Sequence, residues 1–192
     1  FIENYKYEDY GAGPVNWWAL EGDDGLMYFA NTSGVLQFDG VNWEVITLDN
    51  YVSGRSIAKD DEGIIYVGGE GELGYLAHDE IGKLKYVSLK EKIPEEYRAV
   101  TTVWEVDYYQ NKIFYRTNNI LYVWDGEKFE VLISEEGFHV GQVVNDRYYV
   151  RIWGRGLCVL EDGKFNLVPD GERFASRRIY TILPYDEKNL LI

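Results

Sequence analysis

Four prolines, one cysteine, one methionine and two histidines are all that these residue types contribute to 192 positions. Each scarcity closes something off. The lone cysteine, Cys158, allows no disulfide within the chain, and its setting in the apolar run "GLCVL" reads as a buried structural thiol rather than a nucleophile with a basic neighbour. His78 and His139 are isolated, with no third ligand nearby, so neither a metal nor another cofactor is expected. No stretch of about 18 apolar residues is available to cross a bilayer as a helix. No charged-then-apolar leader opens the chain, and its start at Phe1 rather than methionine points to an upstream segment that has been removed. Positive charge is also scarce. With 19 Lys and Arg against 33 Asp and Glu, the net charge of −14 argues against a nucleic-acid or anionic membrane-surface partner.

What the chain has in abundance is aromatic residues and glycine: 17 Tyr, 6 Trp, 8 Phe and 20 Gly. That mixture suits short strands joined by tight turns. The stretch "IIYVGGEGELGYL", residues 64–76, contains G-x-G-x-x-G at Gly69, Gly71 and Gly74 behind an apolar run. A dinucleotide site needs the third glycine to open a helix whose N-terminal amides hold the pyrophosphate. The residues that follow, "LGYLAHDEIGKLKYVSL", have no helical apolar stripe and are rich in strand formers, so that site is rejected.

The chain is repetitive instead. Tyr28 to Ile46 aligns without a gap on Phe114 to Leu132, laying "FDGVNWEVI" over "WDGEKFEVL", and "LEDGKFNLV" supplies a further copy. Gly40, Gly82, Gly126 and Gly163 follow one another at 42, 44 and 37 residues. Propeller blades of four strands repeat at about 40–45 residues. Each row holds four short strand candidates, with acidic turns such as "GDDG" and "KDDEG" after the first and Asp-Gly turns before the fourth. Asp-Gly between alternating apolar segments signals a type I′ hairpin, where both central residues take positive φ. The acidic turns lack the Asp-x-Asp-x-Asp-Gly spacing of a calcium loop.

The expected fold is therefore all-β: a propeller of four-stranded antiparallel blades over about 16–50, 53–93, 101–136 and 138–170, with the start of a fifth at 176–192. That makes about four and a half blades, an incomplete ring, and the blade faces left open should drive self-association. No helix longer than about two turns is expected, and residues 89–100 are the place for a short helical turn.

In a propeller, the segments leading into first strands and the loops joining second to third strands open on one face around the axis. Arg55, Arg116, His139, Trp153, Arg155, Arg177 and Arg178 fall in those segments and are the candidate ligand-binding residues. Residues 145–178 carry seven basic and five acidic residues, including six of the nine arginines, whereas the remainder carries −16. Guanidinium forks of this kind can grip a carboxylate or sulfate. Ion pairing between blades is the open alternative, and packing between blades is the alternative to ring stacking for Trp104 and Trp153.

The N-terminal "EDYGAGPVNW", then "GLMYFANTSGVLQFDGVNW" and "GIIYVGGEGELGYL", together resemble the two-component regulator propellers, extracytoplasmic sensor domains of bacterial hybrid histidine kinases and related regulators. The resemblance runs over the whole chain but only over part of a family member. It implies one or two seven-bladed propellers in a periplasmic, membrane-anchored parent that senses a small molecule such as a carbohydrate. No catalytic residue carries over, and no H-box, kinase glycine motif, receiver aspartate or helix-turn-helix is present in the sequence. The reading is thus of a non-enzymatic sensor fragment. A propeller enzyme such as a glycosidase or lyase, with Glu70 and Glu72 as the nearest carboxylate pair, and a protein-interaction scaffold are the alternatives.

Overall fold

The computed structural model describes residues 3–186 and 189–192. A single helical turn, α1 (Tyr7–Tyr10), precedes the strands and is stopped by Gly11 in the left-handed region, whose N–H donates to the Tyr7 carbonyl at 3.0 Å. Tyr10 is buried there, with its ring 5.2 Å from that of Trp43.

The strands that follow are β1 (Asn16–Glu21), β2 (Met27–Asn31), β3 (Gly34–Phe38) and β4 (Trp43–Ile46), then β5 (Gly54–Lys59), β6 (Ile65–Gly69), β7 (Leu73–His78) and β8 (Leu84–Ser88). Next come β9 (Glu105–Tyr109), β10 (Lys112–Arg116), β11 (Ile120–Trp124) and β12 (Phe129–Ile133), then β13 (Phe138–Val144), β14 (Arg147–Ile152), β15 (Gly156–Glu161) and β16 (Lys164–Leu167). Each group of four is one antiparallel meander, and β17 (Leu183–Pro184) with β18 (Leu190–Leu191) forms a two-stranded fifth sheet. This is the all-β architecture of propeller blades. The chain divides into two compact units at Val106 and Asp107, so the division falls within β9.

Second strands are the most buried. β6 is buried along its whole length and β14 everywhere except Arg147, whereas three of the four residues of β16 are exposed. Short continuous apolar runs such as "IIYVGG" are what a strand covered on both faces requires. In the first unit Tyr28, Val35, Ile57 and Val67 share a core, and in the second Phe114, Leu121, Tyr148, Val150 and Cys158 do. Cys158 is fully buried, and burial pushes its thiol pKa up. The G-x-G-x-x-G stretch is a hairpin: Gly69 ends β6, its N–H donates to the Glu72 carbonyl at 2.8 Å, and Leu73 opens β7. Two 3-10 turns, Lys90–Lys92 and Glu95–Tyr97, occupy the 89–100 stretch.

The turn chemistry differs from the expectation. Of the Asp-Gly pairs only Asp162 and Gly163 both have positive φ, at 50° and 71°. At Asp39 and Asp125 the carboxylate itself accepts from the backbone, Asp39 Oδ1 from Val41 and Asn42 at 2.8 and 2.6 Å and Asp125 Oδ1 from Glu127 and Lys128 at 3.0 and 2.9 Å. The aspartate mimics a backbone turn, so a longer loop replaces the two-residue one. Two-residue turns with both φ positive occur instead between first and second strands, at Gln110–Asn111 and Asn145–Asp146.

Gly34 and Gly156 open β3 and β15 with φ of +125° and +114°. A Cβ there would lie 2.3 Å from the Ile46 carbonyl oxygen or 2.2 Å from that of Gly171, so the backbone must pass where a side chain would stand.

Candidate functional site

Bulges position the candidate side chains. β1 and β2 pair Asn16 with Asn31 and then Trp18 with Ala30, which leaves Trp17 outside the ladder. β5 and β6 pair Gly54 with Gly69 and then Ser56 with Gly68, which does the same to Arg55. β13 and β14 go from Phe138 with Ile152 to Gly141 with Val150, so His139 and Val140 both lie opposite Arg151. A bulge re-aims the extra residue and sharpens the local twist, which is how a regular sheet presents a side chain at its end.

In the first unit the guanidinium of Arg55 lies 4.2 Å from the ring centre of Trp17 and 5.4 Å from that of Trp104. Trp17 is 45% and Trp104 40% exposed, so both side chains are partly open to water. Arg55 also ion-pairs with Glu70. Glu72 is separated from this surface by burial: it accepts from Ser88 Oγ and Lys90 Nζ, both at 3.1 Å. The two glutamates are therefore committed to different cations rather than opposed across an open space. Asn31, on the same loop in the first sheet, is also buried, and its Nδ2 donates to the carbonyls of Gly13 and Val15 at 2.8 and 3.1 Å. It fastens the N-terminal segment to the sheet.

In the second unit the deepest charge is Arg151, at 0% exposure. Its Nε and Nη2 donate to the carbonyls of Phe174 and Ala175 at 3.0 and 2.7 Å, tying β14 to the 3-10 turn Gly171–Phe174. Its Cζ sits 3.4 Å from the ring centre of Trp153, and Nη1 is buried without a hydrogen-bond partner. The His139 ring meets Trp153 edge-on at 5.4 Å and Tyr180 at 5.8 Å, and His139 Nδ1 is likewise buried without a partner. Burial, then the positive charges of Arg151, Arg116 and Arg178, push the His139 pKa down, against a hydrogen bond to the Ile179 backbone that raises it. Arg116 is buried at the end of β10, with Nη1 donating to the Thr117 carbonyl at 3.2 Å.

Of the residues expected from sequence, Arg116, Trp153 and Arg178 thus each act on His139 in the second unit, and Arg55 belongs to the first. Arg155 is exposed and its Nη2 turns back to the Phe165 carbonyl on β16, and Arg177 is exposed beside Arg178. Sequence reasoning passed over two members, Arg151 and Tyr180. The signal for Arg151 was available: an arginine inside the apolar strand "YYVRIW" must be either paired or functional. Tyr180 lies in an irregular segment and carried no such signal.

A cleft of about 400 Å³ lies at the opposite, turn end of the first two sheets, lined by Asp23, Asp24, Glu62 and His78 among others. It holds none of the expected residues. Among the described residues no three His, Cys, Asp or Glu side chains gather as metal ligands, and no helix is long and apolar enough to cross a membrane.

No family model matches the chain, and a search of curated proteins finds no match. Solved structures do match in fold. The chain is similar to the extracellular domain of a hybrid two-component system protein from B. thetaiotaomicron, at 18% identity and a TM-score of 0.64 over 88% of this chain and 24% of that one. It is also similar to virginiamycin B lyase from Staphylococcus aureus, at 13% identity and a TM-score of 0.58 over 77% of this chain and 53% of the lyase. The WD40 β-propeller domain of Doa1 matches at 11% identity and a TM-score of 0.62, over 90% of this chain and 59% of that domain. The chain spans only 21–24% of the length of the two-component extracellular domains it matches. What these likenesses establish in common is the fold: the sheets of this chain are blades of a β-propeller.

Proposed function

We propose that this chain is the ligand-sensing part of an extracytoplasmic β-propeller in a two-component signal transduction protein, and that it binds a small molecule such as a carbohydrate. One observation carries the reading. Bulged first strands turn Trp17, Arg55 and His139 out of their ladders, each beside further aromatic or cationic side chains. Exposed ring faces next to fixed donors are what a pocket for a polyhydroxylated or acidic small molecule needs. The fold shared with extracellular domains of hybrid two-component proteins supports the sensing role, a periplasmic location and a membrane-anchored parent.

On this reading the chain is not an enzyme. The likeness to a lyase favours an enzymatic propeller as the second reading, but Glu70 and Glu72 are each held by their own cation, which weakens them as an acid–base pair. The test is a thermal-shift and calorimetry panel of neutral and acidic mono- and oligosaccharides, with the ligand recovered and analysed afterwards. A true ligand at about 100 times its Kd should stabilise the chain by about 2.7 kcal/mol and be recovered unchanged. A panel without any saturable stabilisation would sink the sensing role, and recovery of a cleaved product would replace it with the enzymatic one.

A further inference from the structure

Arg151 is the one arginine of this chain that is wholly buried and still has a nitrogen, Nη1, with nothing to donate to among the described residues. Its other two nitrogens are committed to the Phe174 and Ala175 carbonyls, and its plane is fixed on Trp153. The direction in which Nη1 points is therefore set by the fold. The bulge in β13 brings His139 opposite Arg151, where it shares the Trp153 ring and buries a second unpartnered nitrogen, Nδ1. A buried donor left unmade is costly, the more so when charged, so Arg151 Nη1 calls for an acceptor, which His139 Nδ1 can share once its ring is protonated.

The groups around His139 say what kind of acceptor. Arg151 and Trp153 face it from β14 and the turn after it, and Arg116 from the end of β10. Arg178, the Ile179 backbone and Tyr180 face it from the segment after the 3-10 turn. Every charged side chain acting on His139 is a cation. Among the described residues no carboxylate comes within 4.0 Å of Arg151. Water could accept a hydrogen bond here but would bring no compensating charge. An oxyanion supplies both. His139 and Trp153 are half-buried, so the two free nitrogens lie just under the surface rather than in the deep core.

We propose that Arg151 Nη1 and the His139 imidazole form an oxyanion subsite, for a carboxylate or sulfate group of the sensed molecule, walled by the rings of Trp153 and Tyr180. The inference deepens the ligand-sensing reading and rests on it. An anion seated against the imidazole favours its protonated form, in which Nδ1 can donate to it. Anion binding therefore takes up a proton at His139, and affinity rises as pH falls.

The test is NMR of the His139 ring in the whole chain, with sodium sulfate or sodium acetate titrated against sodium chloride at constant ionic strength. At least one of the two oxyanions should move the His139 signals saturably, about tenfold more tightly at about pH 5.5 than at about pH 8. Whichever arm saturates identifies the group as sulfate or carboxylate. His139→Gln should abolish the pH dependence, and Arg151→Lys, which keeps the charge but loses the fork, should weaken binding about tenfold. If Arg151→Lys does not fold, His139→Gln read at the Trp153 indole carries the test alone. Chloride reproducing the change, neither oxyanion saturating, or an affinity indifferent to pH would overturn the subsite. A neutral saccharide that binds without moving His139 or competing with sulfate would leave the sensing role standing and overturn only the subsite.

Discussion

The two units place different residues at the same position of the same hairpin. In the first, the second-strand residue one cross-strand pair before the hairpin closes is Ala30, paired with Val35, or Gly68, paired with Leu73. In the second it is Arg116, paired with Leu121, or Arg151, paired with Leu157. At Gly68 the space is already taken, since a Cβ would stand 2.4 Å from Val103 Cγ1. At Arg151 a whole side chain is enclosed. The first unit does carry an arginine near this end of the sheet, but on the bulge, exposed enough to pair with Glu70. The same residue type thus serves two purposes. With a carboxylate at hand, Arg55 is a charge-paired, half-buried group flanked by tryptophans. Arg151, buried without one, is a fixed donor with unused capacity. The counter-charge, rather than the arginine, separates the two.

Removing each arginine is the most direct way to break that comparison. Arg151→Met withdraws two charge-assisted hydrogen bonds from backbone carbonyls in a dry setting, each worth about 1.5–3 kcal/mol, so a loss of about 3 kcal/mol or more is expected. Arg55→Met breaks a partly exposed ion pair and should cost about 1 kcal/mol or less. Urea midpoints for the two variants measure the difference directly. Equal losses would mean that burial does not distinguish the two sites.

Filling the small-residue position sharpens the same point from the other side. Gly68→Ala drives a methyl group into Val103 and Val106, whose side chains would stand at 2.4 and 2.8 Å, and should cost about 1–3 kcal/mol by overpacking. A variant as stable as the parent chain would show that those valines have room to move, and that the first unit could have accepted a larger residue there.

A smaller effect concerns how the units build their turns. In the first unit, Tyr28 donates to Asp24 Oδ2 at 2.7 Å and Tyr66 to Asp60 Oδ2 at 3.1 Å, so a strand tyrosine anchors each acidic turn. Burial first, and then the Asp24 hydrogen bond, push the Tyr28 pKa up to about 12. In the second unit the corresponding connections are the two-residue turns at Gln110–Asn111 and Asn145–Asp146. Tyr28→Phe and Tyr66→Phe should each cost about 1 kcal/mol in chemical denaturation. No loss in either would mean that the turn backbone holds without the anchor.

The repeat made the sheets legible before any coordinates, because a four-strand period with apolar second strands leaves few other folds. The site was legible only in part. Segment position alone picked out Arg116, His139, Trp153 and Arg178, since the topology brings those loops to one end of the sheets. It could not separate them from Arg155, whose side chain folds back to Phe165, or from Asn31 and Glu72, which are buried structural groups. A side chain's direction depends on local register, and the bulges that set it leave no reliable mark in composition. Arg151 was readable in principle by aligning hairpin registers, where "YVR" falls on "YFA" and "YVG". The Asp-Gly turns misled for a related reason: the aspartate side chain could satisfy the backbone in a longer loop, and at Asp39 and Asp125 it does.

The smallest expected effect is on pH dependence, and it follows from the cationic surroundings of His139. Burial and the charges of Arg151, Arg116 and Arg178 hold its folded pKa below the ordinary value of 6.5. In the interval between that folded value and about 6.5, the unfolded chain binds more proton than the folded one, so unfolding is favoured as pH falls. Stability from this residue is complete above about pH 6.5 and is lost as pH drops through the folded pKa. Urea midpoints measured across that interval should therefore slope upward with pH in the parent chain, more steeply than in His139→Gln. A sulfate or carboxylate seated against Arg151 reverses the local charge balance, raises the His139 pKa and should flatten the slope toward that of the variant. The first unit has no equivalent histidine on its bulges, where Trp17 and Arg55 stand. A slope unchanged by His139→Gln would locate the acid sensitivity in the carboxylates and deny His139 any part in it.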